Sequence, residues 1–328
     1  GETRYTFNRG VPELRQAIAE HVSGLYARPI GAERVSITVG GMSAIMIAMQ
    51  LLLEPGDNAL IVTPLWPNVF SCVTTMAAEA RCTVLTMREG AFRLDLDRLM
   101  ASANSRTRVV FLNSPGNPTG WMMERAEQEA LLAFCRARGI WIVADEVYNR
   151  LVYDRAVAPS FLEIAEPEDR VISINTFSKS WAMTGWRMGW AVTPASVGEL
   201  FGELVQFNTS GVATFVQHAG IAAIRDGEPF VRQMVEYCRR GRDVATQRLA
   251  AMPRVRYAAP KAAFYAFFAV EGARDSLAFA KRIAAEADVG LAPGAAFGPG
   301  GEGFLRLCFA NSPERLARAL DRLEPLLM

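Results

Sequence analysis

Lys179 is the residue whose surroundings most demand an explanation. The segment NTFSKSWAMTGWRMGW (175–190) places it just beyond an apolar run that reads as a buried strand, among aromatic, small and hydroxyl residues. Taken alone, it reads as a solvated lysine at a strand end. If buried, it must be paired, deprotonated or covalently used. Desolvation disfavours the ammonium and releases the free amine that Schiff-base chemistry needs. Thr176 and Ser178 flank it and Arg187 follows, so hydroxyls and a cation can converge on a phosphate.

Four other segments carry groups of the same kind. NSPGNPTG (113–120) follows the apolar RVVFL as a rigid loop at a strand's carboxyl end, where open α/β sheets place ligands. It can be read as a plain turn, yet its two asparagines suit the task of aiming an amide at a ligand. In ADEVYNR (144–150), Asp145 emerges directly after the strand IWIV. An ordinary helix-capping aspartate is the simpler reading. A carboxylate there can instead hold a pyridine nitrogen protonated, because a poorly solvated ion pair favours the charged form of both partners. Tyr148 lies near the same face if a helical turn follows.

VGGMSAI (39–45) joins a strand to a helix, and a Gly-rich helix start offers unpaired N–H groups to an anion. By itself that is a weak signal. Trp66 in TPLWPNVF (63–70) sits at another strand's end, where its face can stack on an aromatic ligand or simply pack. GPGGEG (298–303) satisfies a dinucleotide-binding pattern but precedes a strand instead of opening a helix, which removes its claim on NAD. Ser-Lys-Ser at 178–180 lacks the glycines of a P-loop, and nucleotide hydrolysis is rejected.

The elements that must position these groups alternate in the α/β manner. Strands are expected over 35–40, 58–64, 81–87, 108–114, 140–146, 170–177 and 188–194. Several are apolar on both faces, the mark of a mainly parallel sheet sandwiched by helices. Helices are expected over 42–53, 123–138, 195–206 and 212–225. From about 229 the texture becomes a long Arg-rich helix (229–251), strands at 264–270 and 304–310, and helices at 275–287 and 313–327. The reading is a large domain over 1–228 and a smaller α+β domain over 229–328.

With 328 residues, one large domain plus a smaller one is the natural expectation. Lys and Arg total 35 against 34 Asp and Glu, so nothing favours nucleic acid or an anionic membrane. No uncharged apolar run is long enough for a membrane span, and the polar first residues carry no signal peptide. The five cysteines are scattered without C-x-x-C spacing, which argues against a disulfide framework or zinc site and fits a reducing cytoplasm. His21 and His218 are the only histidines and read as helix-borne structural residues.

Together these segments resemble the class I/II, fold-type I aminotransferases, in the correct order over nearly the whole chain. The resemblance implies a pyridoxal 5′-phosphate cofactor held as a Schiff base on Lys179 and a ping-pong transfer from an amino acid to a 2-oxo acid. Gly41 and Met42 would hold phosphate oxygens through their N–H groups, with Thr176, Ser178 and Arg187. Trp66 would stack on the ring, Asp145 would pair with its nitrogen, and Asn117 and Tyr148 would bond its phenolic oxygen. Arg306 in FLRLCFA would grip the substrate α-carboxylate, a bidentate role lysine cannot copy. Tyr5, in YTFNRGVPELR, would reach the phosphate of a neighbouring subunit, which implies a homodimer.

Two departures stand out. Where some relatives carry a histidine behind the aspartate, this chain has Val69, so Asp145 must be oriented by other partners. Gly1 aligns just before the tyrosine signature, so the family's N-terminal arm is missing from the pattern. The same pocket type also supports elimination or decarboxylation, and a non-catalytic regulatory domain is the alternative of another class. No second arginine can be assigned to a dicarboxylate side chain.

Overall fold

The computed structural model describes residues 3–328. The apolar runs become seven strands of one sheet: β1 (Val35–Thr38), β2 (Asn58–Thr63) and β3 (Glu79–Val84), then, beyond a hairpin of β4 (Thr86–Arg88) and β5 (Ala91–Arg93), β6 (Thr107–Asn113), β7 (Trp141–Asp145), β8 (Val171–Thr176) and β9 (Gly189–Val192). Their order is β1-β9-β8-β7-β6-β2-β3. Every pairing is parallel except the two that β9 makes. β2 and β8 are buried along their whole length, which is why they read as unbroken apolar runs rather than alternating ones.

Helices cover the sheet: α1 (Pro12–Tyr26), α2 (Gly40–Leu52), α3 (Asn68–Thr75), α4 (Leu96–Ala101), α5 (Arg125–Arg138), the single turn α6 (Phe177–Ser180), α7 (Ala195–Thr209) and α8 (Thr214–Asp226). Local chemistry sets their ends. α5 starts on a capping box between Glu124 and Glu127 and stops at Gly139, which takes the left-handed conformation at φ 66°. The third strand, expected over 81–87, spans Glu79–Val84, and Thr86 and Met87 of the expected run belong to the first strand of the hairpin instead. α1, α3 and α4 fall outside the expected set. α1 buries Leu14, Ile18 and Val22 at helical spacing, and α3 and α4 are too short to show a period. His21 lies on α1 against the Trp181 ring, at 5.7 Å between centroids.

Beyond α9 (Glu228–Ala250) comes an antiparallel sheet of β10 (Val255–Tyr257), β11 (Tyr265–Val270), β12 (Ala292–Pro293) and β13 (Phe304–Cys308), with α10 (Ser276–Ala287) and α11 (Pro313–Leu327). Its order is β10-β11-β13-β12. Phe268, Leu305 and Leu307 from the strands and Phe309 just past β13 pack with Cys238, Ile283 and Leu320 from the helices in a core of their own. The GPGGEG stretch leads into β13 and opens no helix.

Parallel strands all end on the same edge of a sheet. The register Asn113↔Asp145 therefore sets the last residues of β6 and β7 side by side, and β8 delivers Thr176 and α6 next to them. The chemistry is concentrated on this edge.

Candidate active site

The carboxyl ends of β6, β7 and β8 and the start of α2 surround a cavity of about 360 Å³. Gly41, Met42, Trp66, Asn117, Asp145, Tyr148, Thr176, Ser178, Lys179, Arg187 and Arg306 all line it. Tyr5 does not; it is 95% exposed. A roomier groove of about 510 Å³ runs along α11 past Arg315, Arg318 and Arg322 and contains none of these residues.

Lys179 reaches the cavity because the Thr176 hydroxyl accepts the Ser178 N–H and caps the one-turn helix that carries it. Its ammonium lies 5.6 Å from the Tyr148 ring centre and 5.9 Å from that of Phe264. Burial pushes its pKa down; Arg187 and Arg306 push the same way, while Asp145 opposes them. The site therefore shifts the balance toward the free amine relative to water.

Asp145 is buried, and burial raises its pKa to about 7 against the relief given by the Val147 N–H and the Lys179 charge. The only hydrogen bond to its carboxyl among the described residues is that N–H, at 3.4 Å. Such a group lacks partners, and a bound cationic ring nitrogen is the kind of partner it lacks.

At one end of the cavity the start of α2 faces Arg187. A Cβ on Gly40, at φ +73°, would stand 2.6 Å from Arg187 Nη2, so only glycine lets the helix start approach the guanidinium. The Thr176 and Ser178 hydroxyls lie 3.0 Å apart. Free N–H groups of a helix start, a cation and two hydroxyls suit a phosphate.

At the other end stands Arg306, delivered by β13. Its guanidinium carbon lies 4.3 Å from the Tyr265 ring centre and 4.8 Å from that of Phe297. Nη1 donates to Asn117 Oδ1 at 2.8 Å, while Nε is buried without a partner. A fork held between two rings with a donor to spare suits a carboxylate.

Tyr265 and Phe297 were not singled out from the sequence, and Asn113 entered there only as one of the two asparagines of the 113–120 loop. Tyr265 meets the Tyr148 hydroxyl at 3.3 Å; its one signal was a hydroxyl-bearing ring in an otherwise apolar strand. Asn113 accepts the Asn117 N–H at 2.8 Å. Phe297 comes from a short 3-10 turn with no sequence signature. Among the described residues, no cluster of three His, Cys, Asp or Glu side chains is placed to hold a metal ion, and no helix is long and apolar enough to cross a membrane.

The family model for aminotransferase class I and II matches residues 1–323. The chain belongs to this family. The aspartate aminotransferase of Thermotoga maritima is 35% identical over 327 residues, an alignment covering 100% of this chain and 84% of that one. The arginine–pyruvate transaminase of Pseudomonas aeruginosa is 34% identical, covering 98% and 82%. The crystal structure of an aromatic aminotransferase from Pyrococcus horikoshii superposes with a TM-score of 0.94 at 31% identity, covering 100% and 88%. The fold is thus that of a fold-type I aminotransferase, and the activity is amino-group transfer. An aminotransferase takes an amino acid and a 2-oxo acid as substrates. The relatives' names span acidic, basic and aromatic amino acids, so family membership alone does not select the donor.

Proposed function

We propose that the cavity binds pyridoxal 5′-phosphate and that Lys179 forms the covalent bond to its aldehyde carbon. The observation that carries this reading is the meeting, in one cavity, of a desolvated amine and an under-bonded buried carboxyl. When bound, the cofactor supplies the electron sink that lets the Cα–H bond of an amino acid break.

The chain's own residues supply the rest. Gly41, Met42, Thr176, Ser178 and Arg187 hold the phosphate, and Trp66 covers one face of the ring. Asp145 keeps a proton on the ring nitrogen. Tyr148 and Asn117 donate to the phenolic oxygen; the Asn117 oxygen is already taken by Arg306, which turns its NH₂ toward that role. Arg306 forks onto the α-carboxylate of an L-amino acid, with Asn117 bracing it. The Lys179 amine, when not bonded to the cofactor, would take the Cα proton of the amino acid and hold it.

We also propose a homodimer in which Tyr5 completes the phosphate end of the partner's cavity. Tyr5, Phe7, Phe207 and Phe215 are large apolar side chains left exposed on one copy, and Asn8 bonds Gln206 at 2.9 Å, tying the first of these segments to α7. Residues 1–228 would form the cofactor-binding unit and 229–328 the smaller one. The five free cysteines support a cytoplasmic setting.

Transfer and lyase chemistry separate cleanly in a burst experiment. With an amino donor alone, the loaded protein should release one equivalent of 2-oxo acid per site and stop until a 2-oxo acid acceptor is added. Continued release of ammonia or carbon dioxide without an acceptor would replace the transfer assignment with elimination or decarboxylation.

A further inference from the structure

The carboxyl of Asp145 is poorly held by direct contacts. Val69, three residues after Trp66, is buried in the apolar core and offers no donor, and the Val147 N–H is distant at 3.4 Å. Its aim must come through the backbone that carries it.

That backbone is gripped from both neighbouring strands. On the β6 side, Asn113 stands opposite Asp145 in register. Its Nδ2 donates to the Asp145 carbonyl at 3.2 Å, which also accepts the Ser114 N–H at 3.1 Å. On the β8 side, Asn175 Nδ2 donates to the carbonyl of Glu146 at 3.1 Å, while the Glu146 N–H donates to the Ile174 carbonyl at 2.9 Å. The other ends of the two amides hold parts of the cavity wall. Asn113 Oδ1 accepts the Asn117 N–H, and Asn175 Oδ1 accepts the Thr176 N–H, each at 2.8 Å. Both asparagines are more than nine-tenths buried.

These amides act where the strand ladder runs out, each adding a second donor to a carbonyl that already accepts one backbone N–H, from Ser114 on Asp145 and from Asn149 on Glu146. We propose that Asn113 and Asn175 are positioning residues, which clamp the two consecutive peptides that follow Asp145 and thereby aim its carboxyl at the cofactor's ring nitrogen. The inference rests on the cofactor reading above. A binding group must be held within about 10–20° of its productive direction, and residues behind a ligating group are typically worth about 10–100-fold when removed.

The test compares two ligands on cofactor-free protein: pyridoxal 5′-phosphate and its carbocyclic analogue, in which C–H replaces the ring nitrogen. Affinities are read from tryptophan fluorescence. The wild-type protein should prefer the pyridine, Asp145→Asn should lose that preference, and Asn113→Ala and Asn175→Ala should each reduce it by about tenfold. Melting curves of the cofactor-free variants report folding. If an alanine variant does not fold, Asn113→Ser, which shortens the donor, is read for the same ratio. Variants that bind both ligands more weakly by the same factor, or that keep the wild-type ratio, would overturn the clamp and leave the asparagines purely structural. A wild-type protein that binds the two ligands equally would instead overturn the role of Asp145 itself.

Discussion

The end of β7 presents two consecutive carboxyls to opposite sides of the sheet, and their surroundings differ. Burial pushes both Asp145 and Glu146 up to about 7. Behind the sheet, Glu146 accepts the Ser173 hydroxyl at 2.7 Å, the Ser160 hydroxyl at 2.8 Å and the Phe161 N–H at 3.3 Å. Hydroxyls rotate, so that network satisfies the carboxyl in either protonation state. In front, Asp145 faces the cavity with one distant N–H. Equal burial therefore does not mean equal purpose: the satisfied acid holds the fold, and the under-satisfied acid awaits a ligand.

The comparison can be broken most forcefully at the amine facing Asp145. Lys179→Ala should lower transamination by at least about 10²–10⁴-fold, the usual worth of a positioned general base. Steady-state assays with saturating amino acid check this, and retention of even a tenth of the activity would remove Lys179 from the mechanism. Arg306→Ala should weaken amino acid binding by roughly 2–5 kcal/mol, because a carboxylate in a desolvated pocket loses its paired charge. Titration with a series of amino acids measures it, and unchanged affinity would exclude the residue from the site.

The two carboxyls themselves give the sharper contrast. The folded pKa of Asp145 lies above its ordinary 3.8, so the folded chain holds that proton more tightly than the unfolded one. The cofactor-free protein accordingly loses stability from this group as pH rises from about 4 to about 7. Asp145→Asn removes the penalty and should stabilise cofactor-free protein at pH 8 by up to about 4 kcal/mol, as the shift converts. Denaturant titrations at pH 8 and pH 5 should show the gain shrinking at the lower pH, and a gain independent of pH would contradict the burial argument. Glu146→Ala should do the opposite at pH 5, where little of that group's own burial penalty is present, destabilising by about 1–3 kcal/mol as its donors are stranded. Cofactor affinity of that variant should stay near wild type; a collapse in affinity without loss of stability would erase the distinction between the two sides.

Much of this was legible in the sequence for a physical reason. Groups at the ends of parallel strands are gathered on one edge by topology, so Lys179, Asp145 and Asn117 could be located once the strands were recognised. Arg306 was reachable only through its resemblance to a known family, because its distance from the others along the chain, 127 residues from Lys179, carries no local periodicity. Tyr265 and Phe297 were missed because a ring in an apolar segment reads as core until the guanidinium it faces is placed. The roles of Asn113 and Asn175 depend on cross-strand register, which no single strand encodes. The break at Leu85 between β3 and β4 was equally invisible in a run that stays β-rich through Met87.

One amine must carry the cofactor, and the chain has only three lysines to choose from: Lys179, Lys261 and Lys281. Lys261 is already paired with Glu124 at 3.1 Å on the surface. Borohydride reduction of the protein loaded with pyridoxal 5′-phosphate, followed by peptide mass mapping, fixes the attachment site irreversibly. One phosphopyridoxyl group per chain on the peptide containing Lys179 is the predicted result. Stoichiometric labelling of Lys261 or Lys281, or no label at all, would contradict it.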